Sequence, residues 1–232
     1  MSNIGYGYGS ECHLLRWMGR HRHELNDRVA AILGRQGDPI DWLDFGFDPK
    51  AVWPDAEISD IEFVEAQDDL VFTAWEKYWP QLGTPPSWDA VGTIGDRKNR
   101  EYILVEAKAH IGEMTANCKA EGDSLQKIKD CFKKVKDDLG INDSMHNWLS
   151  KDYQYANRIS VLWFLKEHAI NARLVFIYFY GDWIRPGIKA PCDESGWQAA
   201  LEDQKTRMGL NISHKLSDYI HTLFIPVSIT ML

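Results

Sequence analysis

The sequence predicts a mixed α/β protein, an α+β arrangement in which helices pack on a mixed sheet. The first observation is residues 88–110, which read as two strands joined by a polar turn. The second is the near-continuous apolar run at 172–180, which is typical of an interior strand covered on both faces. A chain of 232 residues suits one elaborated domain. We therefore expect a single domain over 1–232, with its core at about 10–180 and a helical elaboration at 181–232.

Five stretches carry apolar residues at helical spacing. In the clearest of them, Asp123 and Gln126 form a capping pair at the start and Gly140 ends the apolar stripe. The stretch at 152–168 is apolar over most of its circumference, which predicts a largely buried helix. The five predicted helices span 11–33, 61–79, 123–139, 152–168 and about 196–208.

Composition narrows the class of protein. Hydrophobic residues make up 44% of the chain and charged residues 26%, as in ordinary globular proteins. No apolar run approaches the roughly 20 residues that span a membrane, and the first residues lack a signal-peptide pattern. The four cysteines are scattered, without a CxxC pair, which is typical of free thiols in a reducing compartment. We therefore expect a cytoplasmic protein with no membrane partner.

The net charge of −8 argues against binding nucleic acid with the whole surface. It leaves room for a local basic groove around an acidic metal site, because a bound cation supplies positive charge where phosphate would lie.

The predicted hairpin at 88–110 carries an unusual set of charges. Asp89 lies near the start of its first strand, and Glu106 and Lys108 lie near the end of its second. Alternate residues of a strand share a face, so Glu106 and Lys108 point the same way. Such charges are costly to bury without partners. If the hairpin brings Asp89 beside Glu106, two carboxylates and one lysine converge, which is the chemistry of a hard divalent cation site.

The order of helix, hairpin with Asp and Glu-x-Lys, helix and apolar strand resembles the PD-(D/E)xK phosphodiesterase superfamily. The residues that carry the likeness are Asp89 in WDAVG and 106–108 in ILVEAK. One departure is that two residues separate Pro86 from Asp89, where the motif has a Pro-Asp dipeptide. The likeness extends over roughly residues 84–180. It implies the restriction-endonuclease-like fold, with a core of αβββαβ type and extra helices at both ends.

The resemblance also implies a mechanism. Asp89 and Glu106, with the Ala107 carbonyl, would hold Mg²⁺ or Mn²⁺ through oxygen atoms. The cation would make a bound water more acidic and neutralise charge on the attacked phosphate. Lys108 would orient or help deprotonate that water and stabilise the transition state.

Members of the superfamily often add a glutamate from the helix before the hairpin. Glu11 is the first candidate here, because it opens a helix that is otherwise organised for packing. Glu24 and Glu76 are alternatives. Glu11 is equally explained as an acid placed to suit the dipole at a helix N-terminus.

A polar cluster opens the predicted helix at 152–168. Gln154, Asn157 and Arg158 lie at its N-terminal end, and some exonuclease-like branches place substrate-binding residues there. We therefore expect these three to contact the substrate. The alternative is that they bond loop carbonyls at the helix start.

Two further basic features leave alternatives open. The helix at 123–139 has a lysine-rich outer face interleaved with aspartates, which is either a solvated, ion-paired face or a phosphate-contacting edge. On a helix His21 and His23 point about 200° apart, so one cation cannot easily take both.

The resulting hypothesis is a Mg²⁺-dependent nuclease, a phosphodiesterase that acts on nucleic acid, with DNA expected, in defence, repair or processing. A second hypothesis keeps the fold without catalysis, as a binding or scaffold module that acts with a partner. A third treats Glu106 and Lys108 as a strand-end ion pair and predicts that Asp89 points away from Glu106. Many relatives dimerise to cut both strands, although nothing in this sequence marks a homodimer interface.

Overall fold

The protein is a mixed α/β structure built on a five-stranded sheet, as predicted. A computed structural model describes residues 8–47, 57–64, 69–96, 99–183 and 190–227. The α-helices in these ranges are α1 (Ser10–Arg20), α2 (Arg22–Ile32), α3 (Asp69–Tyr78), α4 (Gly122–Leu139), α5 (Tyr153–Glu167) and α6 (Ser195–Met208). The strands are β1 (Ile40–Trp42), β2 (Ile58–Ser59), β3 (Ser87–Trp88), β4 (Ala90–Ile94), β5 (Glu101–Lys108), β6 (Ala172–Tyr180) and β7 (Ile220–Pro226).

The main sheet is mixed, with the strand order β1-β4-β5-β6-β7. The neighbours β1 and β4 are antiparallel, as are β4 and β5, whereas β6 runs parallel to both β5 and β7. A parallel neighbour requires a long crossover, and α4 and α5 supply it between β5 and β6. The short strands β2 and β3 form a separate antiparallel pair.

Each face of the main sheet packs against its own helical layer. Leu104 on β5 belongs to the larger core, which includes apolar residues of α3, α4, α5 and α6. Val105 and Ala107 belong to the other core, which α1 and α2 complete. Because side chains alternate along a strand, Glu106 points into the layer that contains α5.

The helix predicted over 11–33 is divided in two at His21. The Nε of Arg22 donates a hydrogen bond to the Met18 carbonyl at 2.8 Å, and such a side-chain bond competes with the main-chain bonding of a continuous helix. Gly19 precedes the break, and glycine lowers helix stability by about 1 kcal/mol relative to alanine.

The helix predicted over 61–79 was wrong at its start, because residues 61–64 form a turn and α3 begins at Asp69. Residues 65–68 of the predicted helix lie outside the described ranges. Gly140 ends α4 in the left-handed conformation, with φ of 74°. In the part of the chain that the structure describes, no helix has the length and apolar character needed to cross a membrane.

Candidate metal and phosphodiester site

Asp89 and Glu106 face each other where β4 begins and β5 ends. Ala90 pairs with Val105 in the antiparallel ladder, and the main-chain N–H of Asp89 donates to the Val105 carbonyl at 3.1 Å. The Asp89 side chain turns back onto β5, because its Oδ2 accepts a hydrogen bond from the Ala107 N–H at 2.6 Å. This geometry disfavours the hypothesis in which Asp89 points away from Glu106.

Glu106 is the buried centre of the site, with 2% of the residue exposed. Its Oε1 accepts hydrogen bonds from Lys108 Nζ and, at 2.8 Å, from Gln154 Nε2. Its Oε2 accepts one from Arg158 Nε at 2.7 Å. The carboxylate is therefore paired with two cations and one amide, which compensates the cost of burying its charge.

The two carboxylates have opposite pKa shifts. Burial raises the pKa of Asp89, the nearby Glu106 carboxylate raises it further, and the value reaches about 7 although Lys108 acts against the shift. Burial also acts to raise the pKa of Glu106, but Arg158 and Lys108 outweigh burial and the pKa is lowered. Close to neutral pH, Glu106 is ionised while Asp89 exchanges a proton, a separation of roles that is common in catalytic carboxylate pairs.

Arg158 is held on three sides. Besides bonding Glu106, its Nη1 donates to Asn157 Oδ1 at 2.7 Å. Its guanidinium lies over the Trp88 indole, 4.9 Å from the ring centroid, and Trp88 Nε1 donates to the Asp60 carbonyl at 2.9 Å. The second strand pair thus closes over Arg158, because Trp88 belongs to β3. Trp88 was not among the predicted site residues, although its position next to Asp89 was a signal for it.

The predicted substrate-binding residues therefore lie against the acidic pair. Gln154 and Arg158 contact Glu106 directly, and Asn157 contacts Arg158. None of the three is bonded to a loop carbonyl among the described residues, which was the alternative interpretation.

A second buried acid fixes the start of α5. Asp152 accepts hydrogen bonds from Gln204 Nε2 at 3.1 Å and from Arg207 Nε and Nη2, each at 2.9 Å. These bonds tie the N-terminal end of α5 to α6, next to the residues that reach Glu106. Sequence reasoning did not identify Asp152, because its partners lie more than 50 residues away along the chain.

The structure does not bring Glu11 to this cluster. Glu11 is exposed in the first turn of α1, and in the described ranges no hydrogen bond or ion pair links it to Asp89, Glu106 or Lys108. Of the alternatives, Glu24 is paired with Arg28 at 2.7 Å and Glu76 is exposed on α3. The position of Glu11 in the first turn also suits the helix dipole.

The lysine-rich face of α4 is largely engaged within the protein. Lys133 pairs with Asp137 at 2.6 Å, and the buried Lys136 donates to the His146 carbonyl at 3.0 Å. These contacts favour the ion-paired interpretation over a phosphate-contacting edge. Lys129 is exposed and makes no hydrogen bond or ion pair with any described residue.

The oxygen atoms of the acidic pair suit Mg²⁺ or Mn²⁺. Among the described residues no three His, Cys, Asp or Glu side chains come together, so the protein offers two carboxylates and the Ala107 carbonyl. A carboxylate has about four acceptor sites, and here Asp89 accepts one hydrogen bond while Glu106 accepts three. Mg²⁺ is commonly held by one or two carboxylates, with water and substrate phosphate completing its shell.

The fold and the site define a mixed α/β protein with an Asp–Glu–Lys cluster at the end of its central hairpin, in which Glu106 is buried and Asp89 and Lys108 are half-buried. Comparisons with the models of known protein families, with curated proteins and with solved structures find no match to this chain.

Proposed function

We propose that the protein is a Mg²⁺- or Mn²⁺-dependent phosphodiesterase that cleaves nucleic acid, with DNA as its substrate, on a restriction-endonuclease-like core. The single observation that carries the proposal is that Asp89 lies opposite Glu106 on the neighbouring strand, with Lys108 bonded to Glu106. The order of elements supports it, because α1 precedes the antiparallel strands β1, β4 and β5, and a helical crossover leads to the parallel strand β6.

Each residue has a role that follows from its surroundings. Asp89, Glu106 and the Ala107 carbonyl would hold the cation, which when bound neutralises phosphate charge and makes water more acidic. Lys108, with its ammonium at the edge of the acidic pair, would orient the attacking water and stabilise charge that develops on the phosphate. Arg158 keeps Glu106 ionised, because its guanidinium lowers the pKa of that carboxyl.

One observation favours a second candidate, a binding or scaffold module without catalysis. Both oxygens of Glu106 already accept hydrogen bonds from Lys108, Gln154 and Arg158. A cation at Glu106 would have to share these oxygens with the protein donors. If it does not, the same cluster is a structural ion-pair network, and any nucleic-acid binding occurs without cleavage.

Incubation of the purified protein with linear, circular and single-stranded DNA, with Mg²⁺, Mn²⁺ or EDTA, tests the proposal. We expect cation-dependent cleavage that Lys108→Ala lowers by about 10²–10³-fold, the usual cost of removing one transition-state contact. Lys129→Ala, which removes an exposed lysine of α4 outside the acidic cluster, is the matched control and should retain full activity.

Absence of both cleavage and cation binding would rule out the enzyme. Full activity in Lys108→Ala would show that Lys108 and its site do not carry the catalysis. DNA binding without cleavage would support the second candidate.

A further inference from the structure

The junction of α1 and α2 forms a basic corner, which we define as Arg20, His21, Arg22 and His23. Residues 16–23 hold three arginines and two histidines without an acidic residue, in a chain whose net charge is −8. α1 ends and α2 begins on either side of His21, where Arg20 and His23 are exposed and His21 and Arg22 are half-buried.

The basic corner lines a hollow of about 510 Å³ that Phe47 closes on one side. Arg22 builds its wall, since the guanidinium donates to the Met18 and Phe45 carbonyls and lies 5.5 Å from the centre of the Phe47 ring. Arg22 is therefore structural, since its Nε and Nη2 groups are bonded to main-chain carbonyls.

The other three members of the basic corner have side-chain nitrogen donors that are not used within the described part of the protein. The side chains of Arg20, His21 and His23 make no hydrogen bond or ion pair with any residue that the structure describes. The acid nearest in sequence, Glu24, lines the same hollow but pairs with Arg28 at 2.7 Å. A hollow with several unpaired nitrogen donors and an acid that is paired elsewhere suits an anion.

The basic corner lies at the same end of the sheet as the acidic pair, although α1 and α2 cover the face opposite to the one that Glu106 points into. β1 and β5 both run antiparallel to β4, so both end where β4 begins at Ala90, next to Asp89. Beyond β1, Leu43 N–H donates to the Val91 carbonyl at 2.9 Å, and the chain then bends at Leu43 and Asp44 before it reaches Phe45. Arg22 is bonded to the Phe45 carbonyl, which ties the corner to the segment that follows β1, the neighbour of β4 in the sheet.

We propose that the basic corner binds a backbone phosphate of the nucleic acid, at a distance from the phosphate that is cleaved. Arginine and histidine N–H groups pair well with phosphate oxygens, and such contacts position a nucleic acid without reading its sequence. The identity of the ligand rests on the proposed function, because a polymeric substrate extends beyond its scissile phosphate.

Binding measured without divalent cations tests this site separately from catalysis. The anisotropy of a fluorescent short DNA duplex and of a single strand is titrated in EDTA over a range of salt concentrations. The double variant Arg20→Ala/His23→Ala should bind about tenfold more weakly or worse, as expected for the loss of charge-assisted hydrogen bonds. The slope of log K against log salt should fall by about one for each phosphate contact removed.

Lys129→Ala/Lys133→Ala is the matched control, since it removes two positive charges from the exposed face of α4, and it should bind as the wild type does. Equal affinity and equal salt slope in wild type and Arg20→Ala/His23→Ala would overturn the proposal. It would also be overturned if neither DNA binds, or if inorganic phosphate alone binds to the corner. Weaker DNA binding in the variant together with no cleavage by the wild type would retain this site and reject the nuclease.

Discussion

Glu106 and Arg158 form a buried ion pair across 52 residues of sequence, with 2.7 Å between Oε2 and Nε. At most 4% of either side chain is exposed. The pair joins the end of β5 to the first turns of α5, and it thereby sets the position of the acidic cluster against the helix that flanks it.

Removal of the guanidinium should be strongly destabilising. Arg158→Met leaves the Glu106 carboxylate buried with only Lys108 as a cationic partner, and breaking one side of a buried pair typically costs about 3–5 kcal/mol. Denaturant unfolding measures the loss. Arg20→Met, an exposed and unpaired arginine, should change the free energy of unfolding by less than about 0.5 kcal/mol. Equal stability of the two variants would show that the burial of the Glu106 carboxylate does not depend on its pairing with Arg158.

The free energy of unfolding should fall as the pH rises from about 4 to about 7, because Asp89 titrates at different pH values in the folded and unfolded chains. Its pKa is about 7 in the folded protein and about 3.9 in an unfolded chain. Between these values the folded state holds a proton that the unfolded state has lost, so the contribution of Asp89 is complete below about pH 4 and lost as pH rises through about 7. Subtracting the unfolding free energies of Asp89→Asn from those of the wild type isolates this slope. A flat difference from pH 4 to 8 would contradict the raised pKa.

Asp152 and Asp203 both pair with Arg207, and the bonds of the buried Asp152 should contribute more to stability than those of the exposed Asp203. Asp152→Ala removes the acceptor of Gln204 and Arg207 and should cost about 1–3 kcal/mol, because a buried donor is left unsatisfied. Asp203 pairs with Arg207 from an exposed position, and Asp203→Ala should cost at most about 1 kcal/mol. Similar losses in both variants would contradict a positioning role for Asp152.

The elements with strong periodicity could be predicted from the sequence. The apolar run of β6 was predicted with the bounds that it has, and the predicted ends of α4 and α5 lie within about one residue of those found. The alternation along β5 also gave the shared face of Glu106 and Lys108. These features depend on local spacing, which a sequence records directly.

Contacts between distant elements could not be predicted in this way. The polar start of α5 was noticed, but its orientation onto Glu106 depends on how the helix packs over the sheet. The break at His21 depends on Arg22, whose guanidinium bonds both Met18 in the preceding turn and Phe45 beyond β1. The apolar spacing of residues 11–33 continues across the break and therefore gave no sign of it.

The most direct test of the metal-dependent site is an anomalous difference map from a crystal soaked in Mn²⁺. We expect a peak between the carboxylates of Asp89 and Glu106, with oxygen atoms at about 2.1–2.2 Å, close to the distances typical of small octahedral cations. The same soak of Asp89→Asn should give a much weaker peak or none. The absence of a peak in the wild type, with Lys108, Gln154 and Arg158 all still bonded to Glu106, would contradict a metal-dependent phosphodiesterase.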